Sequence, residues 1–120
     1  MIKKLFKSFG YAIKGMFSAA KYQQNLRIHL VAILVVTASG IFLGLSAIEW
    51  SLIALCIGMV ISAEVMNTAI EELVDLISPE FNKQAGRVKD LAAGAVLITA
   101  IVATVVAIYI FGNKIFNLLL

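Results

Sequence analysis

Several chemistries are excluded by what the chain has little of. One histidine, His29, and one cysteine, Cys56, stand among its 120 residues. A lone cysteine closes no intrachain disulfide, and the two residues give no His- or Cys-based metal spacing. A single histidine also leaves no chain of imidazoles for a proton relay. No GxxxxGK[ST] phosphate loop occurs, nor a Gly-rich loop with the signatures of soluble protein kinases. Acidic residues are scarce at first, with Glu49 the only one before residue 64. Proline occurs once, at Pro79, and charged residues make up only 14% of the chain.

What is abundant is hydrocarbon. Hydrophobic residues reach 62% and mean hydropathy is +1.00, whereas a soluble domain is about 45–50% apolar. The chain reads as one integral-membrane domain, so any chemistry takes place in or at the bilayer. Net charge is +3, unevenly spread. Lys3, Lys4, Lys7, Lys14, Lys21 and Arg27 precede residue 30, a pattern suited to anionic lipid rather than nucleic acid. Lys7 and Lys14 interrupt any apolar core of a secretory signal.

Periodicity divides the chain into an all-α arrangement. Ile2, Leu5, Phe6, Phe9, Ile13, Met16, Phe17 and Ala20 follow i, i+3, i+4 spacing, which predicts an amphipathic helix in the interface within residues 1–28. Transmembrane helices are expected over 29–46, 50–77 and 89–112, with a polar connection at 78–88. Gly40 and Gly44 form a GxxxG that permits close helix approach, and Ala92-Ala93-Gly94-Ala95 forms a second small face. Ser78-Pro79 stops the second span. The basic N-terminus and the 78–90 loop hold nine of the ten Lys and Arg, which places both in the cytoplasm by the positive-inside rule.

Within the second span stands a polar stripe. At about 100° per residue, Glu64, Asn67, Glu71 and Asp75 share one helix face, while Glu72 falls off it. A carboxylate at mid-bilayer costs about 2.5–3.5 kcal/mol on insertion scales. A helical hairpin brings Lys89 and Asp90 near Glu71 and Asp75. Carboxylates suit Mg2+ and a lysine suits phosphate. Spacing alone leaves three readings open: an oligomer lock, an ion or proton path such as a small proton-coupled transporter, and an enzyme site. His29, at the start of the first span, is either a plain polar end residue or an anchor for a lipid head group.

The run Glu64-Val-Met-Asn67-Thr68-Ala69-Ile70-Glu71-x-x-Val74-Asp75 resembles the signature of the small prokaryotic integral-membrane lipid kinases, the diacylglycerol and undecaprenol kinases. Gly86-Arg87-Val88-Lys89-Asp90 resembles their second block. Gly10-Tyr11, Lys14-Gly15 and Asn25-x-Arg27-Ile28-His29 resemble their N-terminal part. The resemblance implies a homotrimer in a bacterial cytoplasmic membrane, with active sites at subunit interfaces near the cytoplasmic surface. It implies transfer of the γ-phosphoryl group of MgATP to a lipid hydroxyl. Glu64 matches the general base, Asn67 a residue orienting base or acceptor, and Glu71 a metal ligand. Asp75, Lys89 and Asp90 match nucleotide and metal contacts; Lys4, Tyr11, Glu80, Phe81 and Asn82 match positions near the nucleotide. Glu64, His29 and Ala93 are the positions expected beside the lipid substrate. One position departs from the pattern: where the family carries a second metal-binding Glu, this chain has Gln23, an amide ligand without charge. A raised Mg2+ requirement is expected. Asn25-x-Arg27-Ile28-His29 and Ile48-Glu49-Trp50 resemble the undecaprenol branch more than the diacylglycerol branch.

Overall fold

Four helices and no strands make up the computed structural model, which describes all residues 1–120. They are α1 (Ile2–Tyr22), α2 (Gln24–Leu43), α3 (Ala47–Ile77) and α4 (Lys83–Leu119). The last three are long and apolar enough to cross a membrane. The α3 helix has 31 residues, about 46 Å at 1.5 Å per residue, and exceeds the roughly 30 Å hydrocarbon core. One end of it must therefore leave the lipid interior.

The element boundaries differ from the sequence expectation at four places, each for a local reason. At one of them α2 ends at Leu43 rather than residue 46, where Gly44 turns left-handed, and α3 begins at Ala47 rather than residue 50, capped by Ser46. The surface helix does not run to residue 28. It stops at Tyr22, where Gln23 turns extended (φ −106°, ψ 114°) and serves as the joint between α1 and α2. The first span therefore starts at Gln24, not His29.

The polar 78–88 stretch is not wholly a loop. Asn82 caps α4, its Oδ1 accepting from the backbone N–H of Gln84 at 2.8 Å and of Ala85 at 3.3 Å. Asn is a favoured cap, and the good helix formers Lys83, Gln84, Ala85 and Arg87 follow. Lys89 and Asp90 thus lie inside α4 instead of opening it. The helix also runs past Gly112 to Leu119, which carries Lys114 to Glu49 and the Gly44 carbonyl.

The GxxxG divides into two separate roles. Gly44 adopts the left-handed conformation (φ 70°, ψ 62°) that terminates α2, and its N–H bonds the Gly40 carbonyl. Gly40 provides the close approach: a Cβ there would stand 2.7 Å from the Trp50 ring and 2.9 Å from Leu45 Cδ1.

Packing is sparse within one chain. Eleven of 120 residues are buried, which leaves most apolar side chains for lipid or other subunits. The apolar cluster Leu45, Ile53 and Ile110, with Val36, Trp50 and Phe111 against it, joins α2, α3 and α4. In a bilayer such contacts hold by van der Waals fit, since lipid is as apolar as the side chains. The α3 helix packs along α4, while α2 and α4 barely touch.

Candidate active site

The stripe on α3 is graded in burial. Glu64 is 2% exposed and Asn67 5%; Glu71 is half-buried, and Asp75 is exposed. From Glu64 to Asp75 the helix climbs about 16 Å, so the four groups run from the protein interior to an open surface.

Three pairings tie the stripe to its surroundings. His29 of α2 places Nε2 3.8 Å from Glu64 Oε2. Asn67 donates from Nδ2 to Glu71 Oε1 at 3.4 Å, one helical turn on. Lys89 of α4 reaches Asp75 Oδ1 at 2.5 Å. That last pair is open to water, with side chains 37% and 63% exposed; exposed pairs contribute about 0–1 kcal/mol. Its consequence is positional: it holds an ammonium at the open end of the stripe.

Asn67 leaves one group unanswered. Its Oδ1 is buried and has no hydrogen-bond partner. A buried amide oxygen without a partner costs about 1–3 kcal/mol, so the folded chain keeps an acceptor ready for a donor or cation. Thr68, also buried, donates from Oγ1 to the Glu64 carbonyl at 3.0 Å. Sequence reasoning gave Thr68 no role, although Thr at i+4 from Glu64 is the spacing at which a hydroxyl reaches back along a helix.

The remaining predicted site residues are not drawn into this set. Lys4 and Tyr11 lie exposed on α1, and Glu80, Phe81, Asp90 and Ala93 are exposed as well. Asn82 is occupied as the α4 cap. Gln23 is half-buried at the α1–α2 joint and makes no side-chain cap bond.

No group of three or more His, Cys, Asp or Glu side chains is arranged for a metal. What the stripe does offer is hard oxygen: the Glu71 carboxylate with the orphaned Asn67 oxygen a turn away. That set fits Mg2+, which takes one or two protein carboxylates and otherwise water or phosphate oxygens. It does not fit a metal held by protein alone.

The opposite end of α3 was not legible as a unit. Ser46 and Glu49 form a capping box: Ser46 N–H to Glu49 Oε2 at 2.7 Å, and Glu49 N–H to Ser46 Oγ at 3.2 Å. Lys114 Nζ lies 3.2 Å from Glu49 Oε2 and 3.2 Å from the Gly44 carbonyl. The Ser46-x-x-Glu49 spacing signals the box; nothing local signals Lys114, 70 residues beyond Gly44.

These features define a polytopic α-helical membrane protein with one polar face left partly unpaired. A family model described as "Prokaryotic diacylglycerol kinase" matches residues 10–111. An undecaprenol kinase of Bacillus subtilis (strain 168) is 39% identical over 113 residues, covering 94% of this chain and 92% of that protein. A diacylglycerol kinase of Escherichia coli (strain K12) is 34% identical over 102 residues, covering 85% and 84%. One of Synechocystis is 41% identical over 104 residues, covering 85% and 59%. The chain belongs to the prokaryotic diacylglycerol kinase family and is a membrane-embedded, ATP-using lipid kinase.

Proposed function

We propose that the α3 stripe is the phosphoryl-transfer site and that the acceptor is a polyisoprenyl alcohol of the undecaprenol type. The observation that carries the site reading is the burial gradient: a carboxylate deep in the bundle, then carboxylates nearing the surface, then an ammonium. A lipid hydroxyl arrives from the bilayer and a nucleotide from water, and the stripe joins the two.

Glu64 is the general base. An alcohol is far too weak an acid for a carboxylate to ionise in advance. Glu64 therefore accepts the proton as the oxygen–phosphorus bond forms and the γ-phosphoryl leaves ADP. His29, 3.8 Å from the carboxylate, orients it and borders the place where the hydroxyl enters. The Asn67 oxygen lacks a donor in the free protein; it accepts from the lipid hydroxyl or binds the cation that comes with the nucleotide. Glu71, with Asn67 and Gln23 as neutral oxygen donors, would hold Mg2+, which would supply positive charge against the phosphates. Lys89 meets the phosphates, steered by Asp75, with Asp90 beside it. Lys4, Tyr11, Glu80, Phe81 and Asn82 border the nucleotide.

The assembly in this reading is a homotrimer in a bacterial cytoplasmic membrane, with α1 on the cytoplasmic surface. Two observations support it. Most apolar side chains remain uncovered in one chain, and nine of ten basic residues fall in the N-terminal stretch and the 78–90 segment. For the acceptor, the support is the undecaprenol kinase relative, aligned over nearly the full length of both chains. Labelled ATP supplied with undecaprenol and with diacylglycerol in parallel tests it. Faster labelling of undecaprenol is expected; labelling of diacylglycerol alone overturns the acceptor, and labelling of neither overturns the site.

A further inference from the structure

Below Glu64 the three spanning helices do not close on one another. Because α3 packs along α4 while α2 and α4 barely touch, a half-open slot of about 220 Å³ remains between them. Small side chains leave it open: Ala32 on α2, Cys56 on α3, and Ala100 and Ala103 on α4. All lining residues except His29 and Thr104 are hydrophobic. The slot follows α2 from His29 to Val36 and α3 from Val60 to Ile53, about 10 Å along each helix.

Two details say what fits. His29 lines one end of the slot and also stands 3.8 Å from Glu64, so the slot opens beside the buried carboxylate. The only other polar side chain, Thr104, donates its hydroxyl to the Ala100 carbonyl at 2.7 Å. An ester carbonyl entering the slot would find no donor beyond the imidazole and would carry an unanswered desolvation cost. An apolar cavity of roughly 150 Å³ is already large enough for benzene. This one extends about 10 Å along α2 and α3, which is room for the leading carbons of one branched chain.

We infer that the α2–α3–α4 slot receives the first units of a single-chain polyisoprenyl alcohol and sets the acceptor preference, an inference that rests on Glu64 being the base. Such an alcohol carries its hydroxyl at the end of one chain. Entering lengthwise, it leaves the hydroxyl at the His29 mouth, beside Glu64. A 1,2-diacylglycerol carries two ester-linked chains, one on the carbon next to its hydroxyl carbon and one on the carbon beyond. Its esters would crowd the same mouth, and only one chain would find room.

Two experiments test this on the full-length protein in lipid vesicles. First, Ala103→Phe fills the slot. It is expected to lower undecaprenol phosphorylation about tenfold more than diacylglycerol phosphorylation, within the 10–200-fold range by which a filled or emptied apolar pocket discriminates. Equal effects on both alcohols overturn the slot. Second, a short prenyl alcohol with a diazirine on its second isoprene unit is photolysed with the unaltered protein, a readout independent of activity or of the variant's folding. Labels on the slot-lining Ile53, Cys56, Ile57 and Val60 of α3 and Ala100, Ala103 and Ala107 of α4, displaced by unlabelled prenol, are expected. Labels confined to Leu55, Leu97, Ile101 and Val105, exposed outside the slot, overturn the inference. If the unaltered protein phosphorylates neither alcohol, the kinase site falls, and the photolabel alone decides the slot.

Discussion

The two ends of α3 are built from similar groups and treated oppositely. At the Ser46 end Ser46, Glu49 and Lys114 answer one another within the chain. Ser46 and Glu49 cap each other's backbone, and Lys114 bridges Glu49 to the Gly44 carbonyl. Trp50 closes on Gly40 beside the only apolar cluster of the bundle. At the other end Glu64 has one distant imidazole, Asn67 keeps an orphaned oxygen, and Asp75 and Lys89 pair in the open. A closed polar set fixes the fold. An open one, held in place by that fold, is left for ligands.

Substitutions separate the two ends. Glu64→Gln is expected to lower phosphoryl transfer about 10²–10⁴-fold, the usual contribution of a positioned base, with the helical protein still assembled by size-exclusion chromatography in detergent. Lys89→Met is expected to cost about 10²-fold, the scale of one electrostatic contact to developing charge, and to raise the KM for ATP in steady-state assays. At the closed end the effects fall on stability instead. Gly40→Ala forces a methyl into Trp50 and Leu45 and is expected to cost about 1–3 kcal/mol by overpacking. Ser46→Ala removes half of the capping box, at about 1 kcal/mol. Both are read by denaturant titration in micelles, with transfer per folded molecule unchanged. The smallest effect is Gln23→Glu, expected to lower the Mg2+ concentration for half-maximal activity severalfold. No change in that concentration removes Gln23 from the metal site.

The open end was largely legible in the sequence because acids are so rare in an apolar run. Four polar residues on one face of a spanning helix need no structure to be noticed, and the hairpin that brings Lys89 to Asp75 follows from Pro79 and the polar stretch after it. The gradient of burial along that face was less legible, since it depends on what α2 and α4 cover. The break at Gln23 was hidden for another reason. Neither proline nor glycine marks it, and the apolar stripe runs on through Leu26.

Polarity at 83–88 resembles a loop, yet Asn82 is a cap and the residues after it favour helix. The Glu49–Lys114 bridge joins residues far apart in sequence and follows only once α4 is known to continue past Gly112. Gly40 and Gly44 show the same limit: one spacing motif contained a close contact and a helix stop, and only φ distinguishes them.

The most direct measurement compares two glutamates on one helix. Transfer of labelled phosphate from ATP to undecaprenol is followed for Glu64→Gln and Glu49→Gln, each normalised to folded protein. Placing the base at Glu64 predicts near-complete loss in the first variant and a rate close to the unaltered protein in the second. Equal rates in the two variants, or full activity in Glu64→Gln, would contradict it.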